Sequence, residues 1–272
     1  MPTVKAGDIN IYYEVHGEGE PLLLIMGYGC SSGGWFRQIP GLSREYQVVA
    51  FDNRGMGQSD KPDTSYTMEM MAGDVARLLE AIGIDAAHVY GVSMGGMIAQ
   101  EFALRYQERV ISLILGCTMC GGTQMIMPDA EALTFIFDME RRKMRTPEEE
   151  AREFLTFLCG QDFIDNNPDI VEQFTVKFVE YVTPLYGYMR QGEAMMAHDT
   201  YDRLPQIKAP TLVITGTADK LIPIENSRLL ASRIPNAELI IMENVEHGFW
   251  IKGVEEANKA ILAFLERHRI SR

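Results

Sequence analysis

The sequence predicts an α/β fold, a mostly parallel sheet with helices on both faces, in a chain of 272 residues. Short, continuous apolar runs recur along the chain, and such runs are typical of strands that are buried on both faces. Segments with apolar residues at helical spacing separate most of these runs. The alternation stops between about residues 119 and 204, where helix-like stretches follow one another without a convincing strand.

The predicted elements of the sheet follow in chain order. Thr3–Val15 is predicted to be an antiparallel hairpin, because polar and apolar residues alternate around a Gly-Asp break. Six further strands are predicted, at Leu22–Met26, Val48–Phe51, His88–Tyr90, Val110–Leu115, Thr211–Thr215 and Glu238–Met242. Three helices are predicted between or after them, at Thr67–Ile82, Ile224–Ile234 and Val254–Arg267.

The segment 119–204 is predicted to be a helical insertion. Its four helices are expected at Asp129–Met144, Pro147–Cys159, Pro168–Val182 and Pro184–His198. An insertion between two strands of a parallel sheet lies most simply over the carboxyl ends of the strands, where α/β sheets bind their ligands. We therefore divide the chain into a core of residues 1–118 and 205–272 and a lid of residues 119–204.

Composition narrows the class of partner. With 25 basic and 38 acidic side chains, the net charge of −13 argues against a nucleic acid or an anionic membrane as the partner. The N-terminus lacks the pattern of a signal peptide. The uncharged window Val110–Pro128 contains Gly, Thr and Gln, so we interpret it as a strand and loop. Four cysteines indicate a reducing, cytoplasmic location, and a homodimer is left open.

A candidate nucleophile occurs in Gly91-Val92-Ser93-Met94-Gly95, which fits G-x-S-x-G. A predicted strand precedes the motif, and helix-forming residues follow it. This order is a nucleophile elbow, in which small flanking residues allow a strained turn to lift the serine above the sheet. The alternative is a small-residue turn where a helix packs closely on a strand. We interpret Ser93 as the nucleophile, beside a helix N-terminus that stabilises negative charge.

A serine nucleophile needs a base, and the base needs an orienting group. Behind such an elbow, the chain order is serine, acid, histidine. Of five histidines, His247 alone combines this order with a loop at the carboxyl end of a strand. Asp219 lies in the loop after the preceding strand. The alternatives are a solvated or core histidine, and an Asx turn or helix cap formed by the aspartate.

The oxyanion hole needs two backbone N–H donors. One is assigned to Met94, directly after the nucleophile, and the other to Tyr28, in the glycine-rich loop after Leu22–Met26. Glycines permit the close backbone approach that an oxyanion requires. A flexible glycine loop without a catalytic part is the alternative.

The substrate pocket is predicted to be apolar. Its candidate residues are Trp35, Met119, Met125, Phe135 and Met195. Methionine suits tolerant binding, although the lid residues among these equally suit the lid's own core. Residues 119–204 carry 16 acidic and 8 basic side chains, a net charge of −8. Neutral substrates are therefore expected, unless a lid base such as Arg190 is turned inward.

No metal or organic cofactor is expected. The chain contains no H-E-x-x-H motif and no paired CxxC motifs. Cys117-Thr118-Met119-Cys120 is one isolated CxxC, which we interpret as a chance pair in a loop.

Together these residues resemble the α/β-hydrolase superfamily over nearly the whole chain. Asp52–Asp60 is similar to its D-x-R-G-x-G-x-S turn, and Gly216–Pro223 is similar to its G-x-x-D-x-x-x-P acid loop. The resemblance implies an eight-stranded sheet with a helical lid after strand 6, and it is strongest to lidded carboxylesterases and enol-lactonases. Members commonly carry histidine before the oxyanion glycine. Here that position is Met26, so a hydrogen bond that braces the loop is missing.

The expected function is hydrolysis of carboxylic esters or lactones of small, neutral, apolar substrates through an acyl-enzyme on Ser93. One alternative is a different enzyme that uses the same serine, histidine and aspartate, either a carbon–carbon bond hydrolase of vinylogous diketones or a cofactor-free perhydrolase. Another is a hydrolase-fold receptor or signalling protein that binds a small molecule and turns over little. A plain structural protein is the remaining alternative.

Overall fold

The computed structural model describes residues 2–181 and 183–270. Within these ranges eight strands form one sheet: β1 (Thr3–Ala6), β2 (Ile9–His16), β3 (Glu20–Ile25), β4 (Tyr46–Phe51), β5 (Ala87–Val92), β6 (Val110–Gly116), β7 (Thr211–Gly216) and β8 (Ala237–Met242). Their order across the sheet is β1-β2-β4-β3-β5-β6-β7-β8. β1 and β4 both pair antiparallel with β2, and the other pairs are parallel. The predicted hairpin and the mostly parallel eight-stranded sheet are confirmed.

Twelve α-helices lie in the described part of the chain. They are α1 (Ile39–Leu42), α2 (Met68–Ala81), α3 (Met94–Arg105), α4 (Ala130–Phe137), α5 (Met139–Lys143), α6 (Pro147–Cys159), α7 (Gln161–Asn166), α8 (Pro168–Val179), α9 (Leu185–Met196), α10 (Ile224–Arg233), α11 (Phe249–Lys252) and α12 (Val254–Glu266). None of these helices combines the length and the apolar character that a membrane-spanning segment requires.

The sheet separates two apolar layers, because successive side chains of a strand point to opposite faces. In β3, Leu23 and Ile25 join the layer that α2, α3 and α10 cover. Leu22 and Leu24 join the layer that α1, α11 and α12 cover. These side chains are fully buried. The uninterrupted apolar run of this strand therefore follows from burial on both faces.

The segment between β6 and β7 contains helices α4 to α9. Where one helix was predicted at Asp129–Met144, the chain forms α4 and α5. Asp138 interrupts them with a non-helical ψ of 89°, and its carboxylate accepts a hydrogen bond from the Arg141 N–H as the cap of α5. Helix α7 was not predicted. It follows Gly160, whose φ of 82° ends α6.

Helix α6 begins as its sequence indicates. Thr146 and Glu149 form a capping box, with Pro147 in the first turn. The helix predicted at Pro168–Val182 ends at Val179 in the structure, and Val182 lies outside the described residues. Phe154 and Leu158 of α6 join the same apolar layer as α11 and α12. The segment thus packs against the sheet domain and not as a separate body.

Candidate active site

The structure places Ser93 in a strained turn between β5 and α3. Its φ of 53° and ψ of −124° lie in a region that L residues rarely adopt, at a cost of about 1–3 kcal/mol. Two glycines make the turn sterically feasible. A Cβ on Gly91 would lie 2.2 Å from the Gly95 carbonyl oxygen, and one on Gly95 would lie 2.1 Å from the Ile25 carbonyl oxygen. The G-x-S-x-G spacing is therefore a requirement of packing.

Neighbouring groups hold the strained turn in place. The Ser93 N–H donates to the Gly116 carbonyl oxygen at 2.9 Å. The Thr118 hydroxyl, which follows β6, donates to the Ser93 carbonyl oxygen at 2.7 Å. Thr118 is fully buried. Sequence analysis did not assign a role to this threonine, because nothing in the sequence shows that the loop after β6 reaches the elbow.

His247 and Asp219 lie in contact. The His247 Nδ1 donates to Asp219 Oδ2 at 2.8 Å, and both side chains are almost fully buried. Asp219 Oδ1 accepts from the N–H groups of Leu221 and Ile222 at 2.8 and 2.9 Å. The predicted Asx-type turn and the predicted orienting role thus use different oxygens of one carboxylate. With Nδ1 engaged, Nε2 is the ring nitrogen that remains to accept a proton.

The electrostatics of this pair favour the imidazolium ion. Burial by itself lowers the pKa of His247, but the Asp219 carboxylate and the Cys117 side chain together outweigh burial and raise that pKa well above its ordinary value. An imidazole with this partner is therefore a stronger base than an isolated one. The arrangement stabilises the charge that forms when the base takes a proton.

Ser93 and His247 line the same cavity. In the described residues, the polar partner of His247 Nε2 is the Cys117 thiol, with an Sγ–Nε2 distance of 3.7 Å. Catalytic hydrogen bonds are often long before substrate binds. The cysteine was predicted to be one of a chance pair, and its place beside the base is visible only in three dimensions.

The loop after β3 runs past the nucleophile. A Cβ on Gly27 would lie 3.0 Å from Ser93 Cβ and 3.6 Å from Ser93 Oγ. Tyr28 follows and lines the cavity, and Met94 begins α3. Both predicted oxyanion donors are thus on segments that border Ser93. At Met94, the first N–H groups of the helix have no partner within the helix.

Other hydrogen bonds brace this loop in place of the missing histidine. The Asn53 side-chain amide donates to the Met26 carbonyl oxygen at 2.8 Å. From α9, the Gln191 Oε1 accepts from the Gly29 N–H at 3.2 Å, and its amide donates to the Arg54 carbonyl oxygen at 3.1 Å. Gln191 is fully buried. The loop is therefore held between the turn after β4 and the helices before β7.

Charged side chains hold the turn after β4 in place. Asp52 accepts from the backbone N–H groups of Ser32 and Gln58 at 2.6 and 2.7 Å. Arg54 makes a buried, two-pronged contact with Asp74 of α2, at 2.6 and 2.8 Å. These contacts give Asp52 and Arg54 a structural role in this turn.

The cavity wall is apolar. Its lining residues are Met26, Gly27, Tyr28, Cys30, Ser93, Phe135, Ile136, Phe154, Leu158, Met195, Leu221, Ile222, His247 and Trp250. Two of the predicted pocket residues, Phe135 and Met195, are among them. Sequence reasoning missed Phe154, Leu158 and Trp250, because their positions depend on how α6 and α11 pack.

Three predicted pocket residues lie elsewhere. Trp35 is fully buried and packs on Tyr90 and Trp250, with ring centroids 5.0 and 6.0 Å apart. Met119 and Met125 belong to or border the opposite apolar layer. The Met119 carbonyl oxygen accepts a hydrogen bond from the Gln100 side-chain amide at 3.0 Å. For these three the core role, and not the pocket role, describes the packing.

Comparison with known proteins places the chain in a family. A family model described as alpha/beta hydrolase fold matches residues 20–253. A protein of Azorhizobium caulinodans with the provisional name carbamate hydrolase RutD is 33% identical over 269 residues, 97% of this chain and 98% of its own length. The poly(3-hydroxyalkanoate) depolymerase of Ectopseudomonas oleovorans is 33% identical over 249 residues, 92% of this chain and 85% of its own length.

Solved structures agree. The enol-lactonase from Burkholderia xenovorans LB400 has a TM-score of 0.86 at 26% identity, and the match covers 97% of this chain and 100% of that chain. The sequence motifs, the eight-stranded sheet and the family match point to one assignment. The chain belongs to the alpha/beta hydrolase fold family.

Proposed function

We propose that this protein is a serine hydrolase that cleaves carboxylic esters or lactones of small, neutral, apolar substrates. One observation carries the proposal: Ser93 and His247 open into a single apolar cavity, while Asp219 holds the far side of the imidazole at 2.8 Å. A nucleophile, a base and an orienting acid in this relation serve acyl transfer.

The reaction proceeds through an acyl-enzyme. His247 Nε2 takes the proton of Ser93 Oγ, which attacks the carbonyl carbon. The imidazolium ion then protonates the departing alkoxide, and Asp219 stabilises this ion. A water molecule deprotonated by His247 releases the acid and restores Ser93. In a lactone, the alkoxide remains tethered to the acyl group.

The N–H groups of Tyr28 and Met94 stabilise the tetrahedral oxyanion in this scheme. Two features support the assignment. Gly27 brings the loop within van der Waals distance of Ser93, and α3 directs its N-terminus to the same place. Asn53 and Gln191 hold the loop, so the donors are positioned before substrate arrives.

The preference for neutral substrates rests on charge. Among the described residues that line the cavity, none is Asp, Glu, Lys or Arg. Arg190 does not turn inward, since it contacts Asp63 and Glu193 at the surface. Arg142 of α5 is buried, but Glu150 pairs with it at 2.9 Å. A substrate carboxylate would therefore enter the cavity without a Lys or Arg partner.

Residues 119–204 act as the lid in this proposal, and residues 1–118 and 205–272 form the core. Support comes from the cavity wall, to which α4 contributes Phe135, α6 contributes Phe154 and Leu158, and α9 contributes Met195. The backbone of the lid also contacts the catalytic loop, since the Gly248 N–H donates to the Leu158 carbonyl oxygen.

Two of the similar proteins support an ester or lactone as substrate. They are named for an enol-lactone and a poly(3-hydroxyalkanoate), and both compounds contain carboxylic ester bonds. The protein from Azorhizobium caulinodans is named for a carbamate.

The four cysteines are buried and free, which supports the reducing, cytoplasmic location that we propose.

A fluorophosphonate probe tests the nucleophile. It should label the protein at Ser93, and Ser93→Ala should abolish both labelling and ester hydrolysis. Ser232→Ala, a control on the exposed side of α10, should leave both unchanged. Labelling that persists in Ser93→Ala would show that Ser93 is not the nucleophile.

A substrate panel tests the reaction class. We expect short p-nitrophenyl esters or simple lactones to be turned over faster than a matched carbamate or a vinylogous diketone. We also expect this hydrolysis to be faster than any peroxide-dependent halogenation. If the carbamate, the diketone or the halogenation gave the highest rate, that reaction and not ester hydrolysis would be the activity of the protein. Tight ligand binding with turnover far below one per minute on every compound would indicate a receptor.

A further inference from the structure

Cys117 lies beside the catalytic base, and the ester mechanism does not use it. It follows β6 with a φ of 36°, and its N–H donates to the Ile214 carbonyl oxygen at 2.8 Å. The side chain is fully buried, with Sγ 3.7 Å from His247 Nε2. Ligand atoms of Cys117, His247 and Asp219 all lie within 4.8 Å of one another.

The two ring nitrogens of His247 are arranged as in metal-bound histidines. Such a histidine commonly donates one ring N–H to a carboxylate and binds the metal through the other nitrogen. Here Nδ1 contacts Asp219 Oδ2 at 2.8 Å, and Nε2 faces a cysteine sulfur. Thiolate and imidazole are preferred ligands of Zn²⁺.

The distance between the two ligand atoms also fits. Zinc bonds of ordinary length to sulfur and nitrogen, set at a tetrahedral angle, place the two atoms about 3.6 Å apart. The observed 3.7 Å needs almost no movement. Because Ser93 and His247 line one cavity, water or the serine hydroxyl is available for the remaining positions.

We propose that Cys117 Sγ and His247 Nε2 form a binding site for a thiophilic divalent cation, with Zn²⁺ as the type case, and that the bound ion inhibits the enzyme. The thiol proton passes to solvent as the sulfur–metal bond forms, and no oxidation or reduction occurs. The ion occupies the lone pair that would accept the Ser93 proton, so binding and hydrolysis exclude each other.

Direct binding tests the site without any substrate. The purified 272-residue protein is titrated with Zn²⁺ against a chromophoric chelator, and with Co²⁺ to detect the sulfur-to-cobalt absorption band of a thiolate ligand. We expect one tightly bound ion and a thiolate band. Cys117→Ala should abolish the band and weaken Zn²⁺ binding at least about tenfold, and Asp219→Asn should weaken it roughly 10–100-fold.

Three further variants keep the test decisive. Cys120→Ala changes the other cysteine of the CxxC pair and should bind Zn²⁺ as the parent does, with equal inhibition of ester hydrolysis. Cys117→Ser nearly keeps the size of the side chain, so it replaces Cys117→Ala if that variant is unfolded by circular dichroism. Ser93→Ala should still show the thiolate band although it is inactive, which separates this inference from the proposed function. No binding by the parent, or unchanged binding by a folded Cys117 variant, would overturn the proposal.

Discussion

His247 and Asp219, 28 residues apart in the chain, meet through one hydrogen bond of 2.8 Å from Nδ1 to Oδ2. They come from the loops after β8 and β7, which are neighbours in the sheet. The other oxygen of Asp219 is held by two backbone N–H groups. The carboxylate therefore cannot rotate freely, and it fixes both the orientation and the tautomer of the imidazole.

Replacement of this carboxylate should disable the base. We expect Asp219→Asn to lower kcat by about 10⁴ with a small change in KM, because the amide favours the wrong imidazole tautomer. Asp219 also raises the pKa of His247 above its ordinary 6.5. The kcat/KM of the parent should therefore fall as the pH drops through a value above 6.5, where His247 gains a proton.

Steady-state kinetics over a pH series check both parts. In Asp219→Asn, the residual kcat/KM should fall at lower pH than in the parent. Asp202→Asn, a control at an exposed aspartate, should match the parent. Activity of Asp219→Asn within tenfold of the parent, or a flat parent profile between about pH 5 and 8, would contradict the role of the pair.

The hydroxyl of Thr118 should matter to catalysis and not to binding. Thr118→Val keeps the shape of the side chain and removes the 2.7 Å hydrogen bond to the Ser93 carbonyl oxygen. A hydrogen bond of this kind contributes about 1 kcal/mol, so we expect kcat to fall roughly five- to tenfold with KM unchanged. Thr156→Val removes a similar bond, to the Arg152 carbonyl oxygen within α6, and serves as control. Equal kcat in the two variants would rule out a specific role.

His198 should make the fold sensitive to acid. It follows α9, is 4% exposed, and lies 4.0 Å from Glu101. Burial lowers the pKa of His198 from 6.5 to about 4. Between these values the unfolded chain binds more protons than the folded one, so stability must fall as the pH falls.

The size of this effect is measurable. From about pH 7 to pH 5, the free energy of unfolding of the parent should fall by about 2 kcal/mol more than that of His198→Gln. Urea unfolding at both pH values checks the difference. Met144→Gln, at a residue that is 83% exposed and does not titrate, is the control and should behave as the parent does. A parallel pH response in His198→Gln would disprove the assignment.

The charge of the substrate should determine which of two otherwise similar esters is hydrolysed faster. We expect a neutral ester to have a kcat/KM at least about tenfold above that of its carboxylate-bearing analogue, because the apolar cavity offers the anion no Lys or Arg partner. Met195→Lys adds a cation to the wall and should narrow the difference, whereas Met195→Leu should not. If high salt alone removed the difference, the long-range field of the acidic lid would be its cause. A parent that prefers the anion would contradict the proposed substrate class.

Much of the fold follows from chemistry that is local in the chain. Continuous apolar runs identified the parallel strands, and Gly91 and Gly95 identified the elbow, since a Cβ at either position would collide with backbone. Strand order then explains why Asp219 and His247 lie in contact. Loops at the carboxyl ends of neighbouring parallel strands meet at one edge, whatever their separation in the chain.

The cavity wall and the surroundings of the base could not be obtained in this way. A methionine or tryptophan has the same local signature in a core as in a pocket. Trp35, Met119 and Met125 were assigned to the pocket, whereas the structure packs them in or against the two apolar layers. Long-range contacts decide these places, as when Trp35 packs on Tyr90 of β5 and Trp250 of α11. Cys117 had no signal at all in the sequence. Only the approach of the loops after β6 and β8 places its sulfur 3.7 Å from His247 Nε2.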